Sequence, residues 1–283
     1  MVQLSEEQRL WSCIKIGVVA LLFRSLHYLV RTYLVPKDSA HQGPHADQRR
    51  WRISNELISL LHSTVTGIWA VGSFMRYPDM FNDMLHWYDG ATYCLVLVST
   101  GYLIQDVLDL TCHERSVRVL ELFFHHTCVI SVFLCAVFTG RFCGLVACGL
   151  LMEVNSIFLH SRSLLNLQGT DKLSLHYQLV SALNIGTFLL FRMFSSVYLL
   201  VWSVWHQKAL TPFYFSLMFF VMLSLLVVNL VLFYRVLSAD GYFDRFKLPR
   251  RNSSTAMLLD DDDLMLDGKD APMLLLPTKA VHA

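Results

Sequence analysis

The amino-acid sequence predicts an all-α polytopic membrane protein with about seven transmembrane helices. Three observations carry this. Of 283 residues, 54% are hydrophobic and only 16% are charged, and the mean hydropathy is +0.46, too apolar for a soluble domain. Seven mostly apolar stretches recur, at 11–35, 54–75, 91–110, 117–138, 142–165, 176–202 and 213–237, each near the roughly twenty residues that cross a bilayer. Basic residues gather on alternate linkers, as the positive-inside rule requires of a multi-pass chain. A formal net charge of +1 leaves no electrostatic footprint for nucleic acid, so no nucleic-acid partner is expected.

The first stretch is interrupted by Lys15, Arg24, His27 and Arg31. Two readings fit it: an uncleaved helix or a cleaved signal peptide. Its acidic start (Glu6, Glu7), the short apolar core from Ile16 to Phe23 and the lack of a small-x-small cleavage site favour the helix. With a basic loop it makes up residues 1–47. In the second stretch Asn55, Ser59, His62 and Thr66 fall at helical spacing on one face. The third ends in Gln105, Asp106 and Asp109. The fourth holds the adjacent His125 and His126, with Glu121 one turn before His125 and placed to hydrogen-bond it. The fifth carries Glu153, Asn155, Ser156 and His160. The sixth carries Ser181, Asn184, Arg192 and Ser195, with Phe188 between. From 241 onward a basic cluster (Arg245, Lys247, Arg250, Arg251) and the acidic run Asp260–Asp263 read as a disordered cytosolic tail.

Orientation follows from the linkers. Those after stretches one, three, five and seven hold Arg31, Lys37, Arg49, Arg50, Arg52, Arg115, Arg118, Arg162, Lys172, Arg235 and the tail cluster, fourteen in all. The opposite side holds five: Arg9, Lys15, Arg76, Arg141 and Lys208. The amino terminus is therefore expected outside or in a lumen and the carboxyl terminus in the cytosol. The Asn252-Ser253-Ser254 sequon then lies where it is not glycosylated.

Polar groups at membrane depth are costly and face the protein interior. Ser59, Thr66, Ser181 and Ser195 are explained by interhelical hydrogen bonding alone. Asp106, Asp109 and Glu56 lie near stretch ends, where headgroup level is the rival explanation. His125, His126 and Glu153 lie deeper and are the strongest site candidates. A buried histidine pair can act as nucleophile and base, bind metal, or anchor a ligand. Adjacent helical residues point about 100° apart, so the pair is not expected to chelate one ion, and no metal or other cofactor is expected. Seven cysteines without a CxxC pair read as free thiols in apolar surroundings.

Three segments resemble the TLC domain: Gly101-Tyr-Leu-Ile-Gln105-Asp106-Val-Leu-Asp109, the His125-His126 pair, and Leu150-Leu-Met-Glu153-Val-Asn155-Ser-Ile-Phe-Leu-His160-Ser-Arg162. The resemblance covers about residues 48–240. Phe23-Arg24-Ser-Leu-His27, the stretch from Ser59 through His62 to Trp69, and Phe191-Arg192 are most similar to type one and type two TLC-domain-containing proteins. It implies six helices bundled around a central cavity, with an additional amino-terminal helix. It also implies an acyl chain or membrane phospholipid as partner, and a role in limiting polyunsaturated acyl chains in phosphatidylethanolamine, and thereby membrane fluidity, at the plasma membrane. The endoplasmic reticulum is the alternative location. The expected cavity residues are His62, Gln105, Asp106, Asp109, Glu121, Glu153, Asn155, Asn184 and Arg192, together with His125 as the cavity-facing ring and His126 nearer a helix contact.

Two other functions stay open. In ceramide synthases, which share the domain, paired histidines transfer an acyl group from acyl-CoA, and the matching catalytic residues here are His125 and His126. Those enzymes place a His-Asp-x-x-Asp element on the next span, where this chain has Met152-Glu153-Val154-Asn155-Ser156, one carboxylate instead of two. A non-catalytic lipid transport or sensing protein is the other alternative. The topology is checked with an epitope tag after Ala283: antibody is expected to label it only after cells are permeabilised, and labelling of intact cells contradicts the orientation.

Overall fold

The described chain, residues 4–35, 44–113 and 117–240 of a computed structural model, is built from helices and short connecting turns. The expected tail (241–283), the Asn252 sequon, Lys37 and Arg115 lie outside the described residues. Helix α1 (Glu6–Leu29) opens on a capping box, in which Ser5 Oγ accepts from the Gln8 N–H and Gln8 Oε1 accepts from the Ser5 N–H. It ends in a wide π turn (Val30–Leu34), where Arg50 donates to the carbonyls of Val35 and Arg31 that the turn leaves free. Helix α2 (Pro44–Arg76) has 33 residues. At 1.5 Å per residue that is about 50 Å, well beyond the hydrocarbon core. The stretch expected at 54–75 therefore begins some ten residues earlier, and Arg49, Arg50 and Trp51 are helical. Asp89 caps α3 (Gly90–His113) by accepting from the Ala91 and Thr92 N–H groups. Helix α4 spans Val117–Thr139.

The fifth and sixth spans are each interrupted. The fifth is α5 (Cys143–Leu150) followed by α6 (Glu153–Leu167). Between them the ladder tightens to bonds three residues apart, Leu151 N–H to Cys148 O and Val154 N–H to Leu151 O. Gly67 of α2 faces this joint: a Cβ there would stand 3.1 Å from the Val154 nitrogen and 3.2 Å from the Glu153 carbonyl carbon, so a side chain would push the two backbones apart by a few tenths of an ångström. The sixth is α7 (Leu175–Thr187), a π turn (Phe188–Met193) and α8 (Phe194–Trp205). The seventh is α9 (Pro212–Ala239), opened by Thr211 as N-cap and Pro212 at the first helical position. Among the described residues, seven helical segments are long and apolar enough to cross a membrane. The protein is a multi-pass, all-α membrane protein.

Packing closes six of the spans into a ring: α2 lies against α3, α3 against α4, α4 against α9, α9 against α8, and α7 against α6, which returns to α2 in the most extensive contact of the fold. Helix α1 sits outside, chiefly on α3. Two polar ties hold it. At one end Ser12 Oγ is 2.9 Å from Tyr93 Oη, which donates to the Val137 carbonyl of α4. At the other, the Asp109 carboxylate, with no exposed surface, pairs with Arg24, accepts from Trp51 Nε1 at 2.6 Å and lies 3.4 Å from His27 Nδ1. Three helices meet on that one side chain. Of the seven thiols, Cys128, Cys143 and Cys148 are buried, whereas Cys13, Cys94 and Cys112 are on the outer surface.

Gly101 sets the α1–α3 distance. A Cβ there would meet Val19 Cβ at 2.7 Å and the Ile16 carbonyl oxygen at 2.9 Å. Gly101→Val is therefore expected to destabilise the purified protein by about 1–3 kcal/mol. Gly72→Ala, with nothing near its Cβ, should be neutral or mildly stabilising. Thermal unfolding in detergent separates the two.

Candidate functional site: a polar-belted cavity in the helix ring

The ring encloses a cavity of about 340 Å³, and the character of its wall changes along the axis. On α4 the lining runs from Glu121 through His125 and His126 to Val129, Val132 and Phe133. On α9 it runs from Arg235 back to Leu225, Met222 and Val221. One half is thus apolar, completed by Leu145, Val146 and Leu199. The other half is polar, completed by Asn55, Glu56, Asp106 and His160. A belt of Arg192, Glu153, His62, His125 and His126 separates them.

Arg192 is placed by the π turn, whose extra residue swings Phe188 and Arg192 inward where a regular helix would rotate past them. Its guanidinium donates to Asn155 Oδ1 (2.9 Å), Ser156 Oγ (2.7 Å) and Asn229 Oδ1 (3.3 Å). Asn155 in turn donates to the Asn184 carbonyl, and Asn229 to Ser196 Oγ. This network joins α6, the π turn, α8 and α9. Glu153, first residue after the α5–α6 joint, accepts from Ser63 Oγ at 2.6 Å. His62 stacks on Tyr102 with ring centres 3.8 Å apart, and Tyr102 donates to Ser59.

The remaining wall charges are matched. Arg235 clasps Glu121 with two bonds of 2.7 and 2.8 Å. His160 Nδ1 is 2.7 Å from Glu56 Oε2, while Ser163 donates to Glu56 Oε1. His126 Nδ1 stands 3.4 Å from Asp106 Oδ2. Among the described residues, the inner nitrogens His62 Nε2 and His125 Nδ1 have no hydrogen-bond partner, and His126 Nδ1 has only its 3.4 Å approach to Asp106. Three imidazoles lining the cavity can receive or deliver protons and hydrogen bonds to a bound polar group. Among the described residues, no group of three or more His, Cys, Asp and Glu side chains is arranged to hold a metal ion.

The profile of the TLC domain matches residues 52–238. The chain belongs to the TLC domain family. It is 33% identical over 195 residues to TLC domain-containing protein 2 of Danio rerio, covering 69% of this chain and 79% of that one. It is 30% identical over 210 residues to TLC domain-containing protein 1 of Mus musculus, covering 74% and 83%. It is 32% identical over 186 residues to TLC domain-containing protein 2 of Homo sapiens, covering 66% and 67%. The six-helix ring with α1 outside it is the TLC-type bundle that the sequence resemblance implied.

Within that TLC ring, His62, Asp106, Glu121, His125, His126, Glu153 and Arg192 stand on the cavity wall. Four other expected wall residues do not. Asp109 is turned outward to tie α1. Gln105 is buried beside Asp106, about 100° around the helix from it, with its amide nitrogen unpartnered. Asn155 and Asn184 stand behind the wall and brace Arg192. Glu121 bonds Arg235 rather than His125, because the Arg235 fork offers two charge-assisted bonds. Both rings of the histidine pair line the cavity, rather than His125 alone. Glu56, Ser63, His160, Asn229 and Arg235 were not among the expected site residues. His160 shares the Glu153 stripe and was legible, whereas Asn229 lies alone in an apolar run.

Removing Arg192 leaves Asn155, Ser156 and Asn229 without their donor. Arg192→Leu is expected to cost about 2 kcal/mol or more of stability. Ser203→Ala, which removes only a bond to its own helix, should cost far less. Thermal unfolding of the purified variants checks the difference.

Proposed function

We propose that this TLC-family protein regulates phospholipid composition and membrane fluidity by taking an acyl chain into the cavity. The observation that carries the reading is the cavity's asymmetry: an apolar half ends on a belt of cation, carboxylate and imidazoles. An acyl chain gains from leaving polar contacts for the apolar half, and its polar end then meets the belt. A volume of about 340 Å³ lies at the small end of ligand pockets, roughly 300–1,000 Å³. It suits one chain rather than the two of a diacyl lipid. Within this reading the affected lipid is phosphatidylethanolamine, the chains limited are polyunsaturated and the place is the plasma membrane, as the sequence resemblance implied. Loss of the protein in cells fed polyunsaturated fatty acid is expected to raise polyunsaturated phosphatidylethanolamine. An unchanged phospholipid profile with altered ceramides opposes the reading.

A second reading, acyl transfer, is favoured by one observation: His125 keeps Nδ1 without a partner among the described residues, and beside it on the cavity wall His126 has a carboxylate, Asp106, 3.4 Å from its Nδ1. Either could relay a proton or accept an acyl group. Both readings place function on the pair. Replacing both histidines by Ala removes buried polar groups from a span with ample hydrophobicity, so membrane insertion should persist. Surface level is expected to stay near wild type while rescue of the lipid phenotype is lost. Full rescue would show the pair to be structural.

A further inference from the structure

Two charges on the cavity wall make no direct ion pair among the described residues. Glu121, Glu56 and Asp106 each face a cation or a histidine nitrogen. Arg192 and Glu153 hydrogen-bond only to neutral groups among the described residues, two amides and a hydroxyl for Arg192 and the Ser63 hydroxyl for Glu153, and attract one another only through space. A charge at membrane depth without a direct ion pair is costly to maintain. The fold nevertheless holds each one rigidly, through three bonds and one bond respectively.

Each has capacity to spare. Three of the five guanidinium N–H groups are engaged, which leaves one on each terminal nitrogen of Arg192. Two free guanidinium donors of that kind suit the oxygens of a phosphate. Glu153 Oε2 is taken by Ser63, and Oε1 has no partner among the described residues. The two groups also lie close together. Ser156, which Arg192 grips, is one turn beyond Glu153 on α6, a rise of about 5 Å. That spacing matches a head whose anion and ammonium are a few bonds apart. A lone anion would leave Glu153 unmatched and add a second negative charge beside it. A lone cation would do the same to Arg192.

We propose that the cavity selects a single-chain lipid with a zwitterionic head, its phosphate received by Arg192 and its ammonium by Glu153. The proposal rests on the reading of the cavity as an acyl-chain site. Two lipids share this chemistry, lysophosphatidylethanolamine and a phosphorylated long-chain amino alcohol.

The test is native mass spectrometry of the full chain released from detergent, titrated with five lipids of matched chain length: those two zwitterions, lysophosphatidic acid, a fatty amine and a fatty alcohol. At least one zwitterion is expected to bind about tenfold or more tightly than the anion-only, cation-only and uncharged lipids, the scale of a hydrogen bond to a charged group. Glu153→Gln keeps the side chain's shape and its bond from Ser63. It should reduce the zwitterion to the affinity of lysophosphatidic acid without weakening lysophosphatidic acid itself. Arg192→Lys keeps the charge but loses the fork, and should weaken all three phosphate lipids together. If all five bind wild type within about twofold, head selection is overturned while the acyl-chain site stands. An unchanged zwitterion preference in Glu153→Gln also overturns it. If none of the five binds, the acyl-chain site itself falls, and the proposal with it.

Discussion

A guanidinium at the middle of a membrane protein must be surrounded by oxygen, and the fold is arranged around that requirement. Arg192 sits midway along the sixth span, and its five donors cannot be left in hydrocarbon. The oxygens come from α6 and α9, and those helices are in turn braced through Asn184 of α7 and Ser196 of α8. This side of the ring is therefore held by polar bonds as well as by packing. In lipid that matters, because apolar helices gain little from one another that acyl chains do not also offer.

Departures from regular helix do the aiming. The π turn at Phe188–Met193 inserts a residue and swings Arg192 inward. The joint between α5 and α6 tightens the backbone and sets Glu153 at the head of a new helix, close against α2, where Gly67 makes room. Both irregularities fall at the level of the belt. A straight helix would present a stripe along its whole length, whereas these interruptions turn chosen side chains toward the cavity and leave the rest of the span apolar.

The helices and their number were legible, because a run of twenty apolar residues has few other uses. Much of the cavity wall was legible too, since His62, His125, His126 and Glu153 are too costly at depth to face lipid. What escaped was direction within a helix. Gln105, Asp106 and Asp109 crowd one end of α3, yet only Asp106 reaches the cavity, while Asp109 points to a helix outside the ring. Spacing puts residues on a face, but which neighbour that face meets is decided by the ring order. Asn155 shows the same limit: one position from Ser156, it braces Arg192 from behind the wall. The pairing of Glu121 with Arg235 joins spans four and seven, a juxtaposition that no local pattern announces.

The tie at Asp109 has a consequence for the order of synthesis. Helix α1 leaves the ribosome first, but the carboxylate that matches Arg24 and the glycine that seats its backbone belong to α3, more than seventy residues later. Until α3 arrives, α1 has neither. Its composition suits that interval. Little of it is buried even in the finished fold, and Leu10, Leu21, Leu22 and Leu29 are exposed on its outer surface. Arg24, at 56% side-chain exposure even when paired, can extend its stem toward the headgroups while it waits. The same outward placement that leaves the ring closed without α1 lets the first helix stand in lipid as a lodger until its partner is made.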